Sequence, residues 1–61
     1  MQNVELTTKI AEARRIERYE ARSCYVVWNA GEQAYTLEYR MPYMGEWYTS
    51  DGVQHGPTHT R

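Results

Sequence analysis

Residues 24–49 read CYVVWNAGEQAYTLEYRMPYMGEWYT, and this stretch decides the fold because it carries most of the aromatic residues of the chain. It contains both Trp and five of the six Tyr residues, interleaved with Val, Thr and Leu. β-Branched and aromatic residues favour strands, whereas Gly, Pro and Asn favour the turns between them. The stretch therefore predicts antiparallel β-sheet with more aromatic surface than one face can bury.

The first two strands are separated by a turn. Residues 24–29 form the first strand, and Asn29 starts a turn in which Gly31 supplies the positive φ. Residues 33–41 alternate between larger apolar and smaller or polar side chains, which is the pattern of a half-buried strand. One side of this second strand presents Tyr35, Leu37, Tyr39 and Met41.

A third strand follows Pro42. Proline lacks the N–H of a β-ladder, so the second strand is expected to end near it. Residues 46–50 then read as strand, and Asp51 with Gly52 forms a strong signal for a two-residue hairpin turn. Such a turn would allow residues 53–55 to add a short stub of a fourth strand.

Residues 4–22 predict an N-terminal helix. They contain no Gly or Pro and are rich in Ala, Glu and Arg, which are good helix formers. Asn3 is a suitable N-cap, and the helix dipole favours the negative charge of the Glu5 carboxylate in the first turn. At helical spacing, one apolar stripe is formed by Leu6, Ile10, Ala13 and Ile16.

The opposite face of this helix carries a ridge of like charge. Arg14, Arg18 and Arg22 follow one another at i, i+4 and i+8, with Arg15 beside them. Like charges at this spacing repel each other by a few tenths of a kcal/mol. The ridge either complements the negative C-terminal end of the helix or faces an anionic partner, such as an acidic protein or phosphate groups.

Together these elements predict an α+β fold in which the helix packs on one face of a three-stranded antiparallel β-meander. One small domain covers residues 1–55, and residues 56–61 form a flexible tail. The face with Tyr35, Leu37 and Tyr39 is the expected side for the helix. Because one helix covers one face only, at least one Trp or a Tyr–Val set remains on the uncovered face.

The length of the chain limits its stability. A domain of 61 residues buries about 60% of the surface that its unfolded chain exposes, so its stability is marginal. A single Cys allows no internal disulfide, which leaves self-association or a partner as the expected source of extra stability. No apolar run is long enough to cross a membrane, and the single Cys without a targeting segment suggests the cytoplasm.

The sequence offers little support for catalysis or metal binding. Cys24 begins a predicted strand, where a free thiol behaves as a small hydrophobe rather than as a nucleophile activated by His55 or His59. The two His residues have metal-like spacing only in a helix, which Gly56 and Pro57 forbid. No nucleotide-binding or zinc-finger motif occurs. We therefore expect no enzyme, no cofactor and no metal.

The aromatic surplus favours a protein-binding module that blocks or regulates a larger partner. Interface centres are enriched in Tyr, Trp, Met and Arg, and the chain has six Tyr, two Trp and three Met. Small chains of this kind are often inhibitors encoded by phages and other mobile elements, which is an association of size rather than of residues. The predicted partner-binding residues are Trp28, Tyr48, Trp47, Tyr43, Met44, Arg14, Arg18 and Arg22.

Two alternatives remain open. A nucleic-acid-binding module could stack bases on the sheet aromatics and follow the backbone with the arginines, although the net charge of −1 opposes this. An obligate homodimer could bury the uncovered sheet faces of two copies against each other.

Overall fold

The structure, a computed structural model, describes residues 3–56 and has one helix packed against a three-stranded antiparallel sheet. This confirms the α+β class and the placement of the helix on the sheet. The elements are α1 (Val4–Glu20), β1 (Tyr25–Asn29), β2 (Ala34–Glu38) and β3 (Trp47–Tyr48). Residues 57–61 of the predicted tail lie outside the described residues, whereas Gly56 is buried.

Both ends of α1 have defined caps. The side-chain oxygen of Asn3 accepts a hydrogen bond from the Leu6 amide at 3.0 Å, which confirms the predicted N-cap. The helix ends at Glu20 rather than at residue 22, because Ala21 adopts a left-handed conformation with φ of 55°. The Ala21 amide then donates to the Glu17 carbonyl, which closes the last turn and directs the chain into β1.

Polar contacts anchor the helix to the sheet at both of its ends. Near the start of α1, the Glu5 carboxylate accepts a hydrogen bond from the Tyr35 backbone amide at 3.0 Å. This amide lies on the free edge of β2, so the contact satisfies a donor that no neighbouring strand binds. Near its end, the Glu17 carboxylate accepts from the Cys24 amide at 2.8 Å and from the Ser50 hydroxyl at 2.7 Å. Glu17 thus joins the helix to the start of β1 and to the segment after β3.

The strand order is β2-β1-β3, so β1 lies at the centre of the sheet. This differs from the predicted meander, in which the second strand would be central. Val26 of β1 pairs with Leu37 on one side and with Tyr48 on the other. The physical reason is that the most apolar strand has its backbone groups satisfied on both edges, while the more polar β2 takes an edge.

The strands are shorter than the sequence predicts, because the chain must turn between them. β2 ends at Glu38 rather than at residue 41, and the chain bends at residues 39–40 to pass to the other edge of β1. Gly45, with φ of 92°, lies just before the short β3. A turn forms after β3, but it is centred on Ser50 and Asp51 rather than on Asp51 and Gly52, since the Gly52 amide donates to the Thr49 carbonyl at 2.9 Å. Gly52 follows as the residue with positive φ, 91°.

The free edge of β3 is partly covered by the segment after this turn. A single bridge joins Tyr48 to Gln54, and the His55 amide donates to the Trp47 carbonyl at 2.9 Å. This is the predicted stub of a fourth strand, reduced to one bridge.

The turn between β1 and β2 differs from the sequence-based prediction in the position of its residue with positive φ. The Asn29 side-chain oxygen accepts from the Glu32 amide, as expected of an Asn at the start of a turn. The positive φ lies at Gln33, with a value of 52°, rather than at Gly31. The loop has residues 30–33, and its left-handed residue is the last one, where the chain re-enters the sheet.

The core lies between the helix and one face of the sheet, here called the inner face. Its buried residues are Ala13, Cys24, Val26, Tyr35 and Tyr48. Partly buried residues packed against them are Leu6, Ile10, Ile16, Trp28 and Leu37. The predicted helix stripe and the inward direction of Tyr35 and Leu37 are confirmed. Tyr39 follows the end of β2 and is more exposed.

Candidate functional site

The other face of the sheet, the outer face, has no helix packed on it among residues 3–56. It carries the side chains that alternate with the core residues, including Tyr25 and Val27 of β1 and Trp47 of β3. The rings of Tyr25 and Trp47 meet edge to face with centroids 5.5 Å apart. The His55 imidazole stacks on Trp47 at 4.4 Å with an interplanar angle of 16°. A contiguous aromatic surface results.

The loop between β2 and β3 extends this surface. Its segment of residues 41–44 (MPYM) is here called the Met–Tyr loop. The exposed fraction is 64% for Met41, 94% for Tyr43 and 69% for Met44. A groove of about 350 Å³ lies between this loop and the outer face. Its lining consists of Val27, Glu38 and residues 40–44. Apolar side chains of this loop are thus presented beside the aromatic surface.

Two of the predicted partner-binding residues lie on the inner face instead. Tyr48 is only 8% exposed and belongs to the core. Trp28 packs against the same core, with its ring centroid 4.9 Å from that of Tyr35. The pairing of Val26 with both neighbouring strands sends Tyr48 inward and Trp47 outward. For adjacent aromatic residues such as Trp47 and Tyr48, the sequence alone does not say which one faces the helix.

A carboxylate fixes the inner aromatics. Glu46 accepts hydrogen bonds from the hydroxyls of Tyr48 and Tyr35, and the Asn3 amide donates to the Tyr35 hydroxyl at 3.3 Å. Burial, and then the neighbouring Glu46 carboxylate, raises the pKa of both phenols above the ordinary value of 10.0. Both hydroxyls therefore stay protonated as donors, and this cluster serves the fold.

The arginine ridge divides into two parts. Arg22 lies 3.8 Å from Glu20 and places its guanidinium 3.9 Å above the ring of Tyr39. Arg14 donates to the Ser50 carbonyl through Nε at 3.2 Å and Nη2 at 3.0 Å. Arg18 lies with Arg14 and Arg15 in a shallow depression on the helix. The three predicted residues therefore do not form one uniform surface.

A threonine and a histidine approach each other on the outer side of the turn after β3. The Thr49 hydroxyl donates to the Asp51 carboxylate, and its oxygen lies 3.1 Å from His55 Nε2. The Asp51 carboxylate and the Val53 carbonyl both lie within reach of the single hydroxyl hydrogen of Thr49, and the role of His55 Nε2 depends on the tautomer of the imidazole. The hydrogen bond to Thr49, together with one from the Val53 amide, lowers the pKa of Asp51.

The thiol of Cys24 is buried in the core. Burial and the nearby Glu17 carboxylate raise its pKa, which disfavours the nucleophilic thiolate. Among the described residues no group of three or more potential ligands is placed to hold a metal ion. His59, the second histidine of the sequence, lies outside that part of the chain.

Comparisons of the chain with protein-family models, with curated proteins and with solved structures find no significant match. The helix of the described region is neither long nor apolar enough to cross a membrane. Function is therefore inferred from the geometry.

Proposed function

We propose that the protein is a small non-catalytic binding module that docks on a larger protein and thereby blocks or regulates it. The observation that carries this proposal is the Met–Tyr loop, whose three large side chains stand exposed beside the aromatic outer face. Large contiguous apolar patches on small proteins usually mark an interface.

The chemistry of the surface suits a protein partner. Tyr and Trp combine apolar area with a polar group, so they tolerate water before binding and contribute strongly once buried. Met41 and Met44 have flexible, polarisable side chains that adapt to the shape of a partner. The groove beside them would receive an apolar side chain of that partner, with Glu38 and Arg40 as polar groups at its margin.

The proposal extends to an inhibitor of the type encoded by phages and other mobile elements, acting in the cytoplasm. The small size of the chain and its single thiol, which is buried and unpaired, support this extension.

Binding of nucleic acid has less support from the structure. Stacking of bases would use the outer face, where Arg40 is the cation that borders the groove. Arg15 and Arg18 lie on the helix, which covers the opposite face of the sheet. One nucleic-acid strand would not contact both sets at once.

The test is affinity capture from extracts of the cells that produce the protein, followed by titration of the purified partner. The variant Tyr43→Ser/Met44→Ser should lose about tenfold or more in affinity, as expected for residues at an interface centre. Val4→Ser is the matched control, since it removes an exposed apolar side chain from the helix instead. Equal binding by all three proteins would overturn the proposal.

Light scattering across a dilution series tests the alternative hypothesis of a homodimer. A dimer that dissociates on dilution, and that the Tyr43→Ser/Met44→Ser variant cannot form, would show that a second copy occupies this surface.

A further inference from the structure

The exposed side of α1 carries a cluster of three arginines, here called the arginine patch. Arg14, Arg15 and Arg18 line a depression of about 200 Å³ together with Ala11 and Tyr19. Ala11 lies one helical turn before Arg15, and its small side chain leaves room between the guanidiniums. Arg15 and Arg18 lie opposite the apolar stripe that packs on the core and so point away from the sheet, whereas Arg14 lies at the edge of the patch and reaches Ser50.

The positive charge of this patch is not balanced by the carboxylates of its own helix. Glu12 lies 3.9 Å from Lys9, and Glu20 lies 3.8 Å from Arg22. The other two carboxylates of α1 face the sheet: Glu17 accepts hydrogen bonds from Cys24 and Ser50, and Glu5 accepts one from the Tyr35 amide. Within residues 3–56, Arg15 and Arg18 form no ion pair.

Arg14 is held in place without being neutralised. Its two hydrogen bonds go to the Ser50 carbonyl, which is an uncharged acceptor. They use two of the five N–H donors of the guanidinium and leave the others for a ligand. A fixed arginine loses less side-chain entropy on binding than a free one, so this contact prepares the patch for an anion.

We infer that the arginine patch binds a short acidic segment of a protein, with Asp or Glu carboxylates as the recognised groups. The planar guanidinium matches the two oxygens of a carboxylate and pairs with them bidentately. This surface lies on the other side of the molecule from the Met–Tyr loop and is a second, independent binding site.

The charge of the remaining chain favours a short segment over a nucleic acid. The whole chain carries −1, so the remainder carries −4 when the three charges of the patch are set aside. A long polyanion that extends beyond the patch would therefore be repelled by the net charge of the remaining chain. A short acidic segment contacts the three arginines alone.

Fluorescence anisotropy with a labelled hexaglutamate peptide at low salt tests the inference, with hexaglutamine as the uncharged reference peptide. The variant Arg15→Gln/Arg18→Gln should bind hexaglutamate roughly tenfold more weakly, since each exposed ion pair accounts for up to about fivefold. The matched control Arg22→Gln/Arg40→Gln makes the same change in net charge outside the patch and should change affinity by less than about twofold. Circular dichroism checks that both variants fold.

Two outcomes would overturn the inference directly. Equal weakening in both double variants would show an effect of net charge alone, and no binding by the wild-type protein would show that there is no such site. Tighter binding of a single-stranded oligonucleotide of equal charge, lost in the Arg15→Gln/Arg18→Gln variant, would identify a nucleic-acid surface instead. The Tyr43→Ser/Met44→Ser variant should bind hexaglutamate normally, which separates this test from that of the proposed interface.

Discussion

The two faces of the sheet carry similar aromatic residues in different environments. On the inner face, Tyr35 and Tyr48 are buried, and their hydroxyls are bound to Glu46. On the outer face, Tyr25 and Trp47 meet edge to face and His55 stacks on Trp47, but no helix packs over these rings in the described part of the chain.

This difference separates stability from surface chemistry. The rings of Tyr35 and Tyr48 are both packed and hydrogen-bonded, so truncation of either one leaves a cavity and removes one of the two hydroxyls that bind Glu46. Truncation of a ring on the outer face removes only its contacts with a few neighbouring side chains. In the wild-type protein the rest of that ring's surface is available to a partner. Substitutions on the two faces should therefore have effects of different size and kind.

The largest contrast is expected between two adjacent residues of β3. Tyr48→Ala should lower the free energy of unfolding by about 3–5 kcal/mol, the usual cost of truncating a buried aromatic residue. A core of this size rarely supplies more than about 3–5 kcal/mol, so much of this variant should be unfolded. Trp47→Ala should cost about 1–2 kcal/mol, because it removes the ring contacts with Tyr25 and His55.

Urea unfolding followed by circular dichroism measures both values, and Tyr48→Phe serves as a variant that keeps the ring. Equal costs for Tyr48→Ala and Trp47→Ala would contradict the assignment of the inner and outer faces.

A smaller effect is expected at Gly56, which anchors the segment that carries His55. A Cβ atom at this position would lie 1.6 Å from the Gly45 carbonyl oxygen and 3.1 Å from the ring of Trp47. Gly56→Ala should therefore displace the segment and cost about 1–3 kcal/mol, the range for overpacking. The His55–Trp47 stack should be lost, which Trp fluorescence reports.

Gly31→Ala is the control for this substitution. Its nearest contact would be the Asn29 side-chain oxygen at 3.4 Å, and its backbone needs no positive φ. The change should leave stability within about 0.5 kcal/mol. A Gly56→Ala variant as stable as Gly31→Ala would exclude the close approach of residues 45 and 56.

The most gradual effect is expected at alkaline pH and reports the inner face alone. The pKa values of Tyr35 and Tyr48 are raised in the folded state, so folding favours their protonated forms. Their contribution is fully present below pH 10.0, the ordinary value for a phenol, and is lost as the pH rises above it because the unfolded chain ionises first. Urea unfolding at increasing pH should show this decline.

Tyr48→Phe removes one of the two groups and should make the decline shallower above pH 10.0. The same slope in the variant and the wild type would show that Tyr48 does not contribute to it. Ultraviolet absorbance of phenolate gives an independent check, since the raised pKa values of Tyr35 and Tyr48 should move their part of the phenolate signal to higher pH.

Local sequence signals determined the elements and the class of the fold. Asn3, the apolar stripe of α1 and the alternation around Tyr35 and Leu37 act through neighbours in the chain, so their structural meaning can be read without the rest of the molecule. The surplus of aromatic residues over one sheet face followed from the same counting. Pro42 marks residues 42–45 as a connection, but β2 already ends at Glu38, so the sequence places Met41 on the apolar side of the strand and not in the exposed loop.

Only the tertiary structure decided the strand order, the inward direction of Trp28 and Tyr48, and the division of the arginine ridge. Each depends on contacts between residues far apart in sequence. β1 pairs with two strands, and Arg14 binds the Ser50 carbonyl. The close approach of Gly45 and Gly56 is a further contact of this kind. The physical reason is that a period of two defines two faces of a strand but not which face meets the helix. That choice is made by the packing of the whole core, where burial of Val26 between two neighbouring strands fixes every other side chain of the sheet.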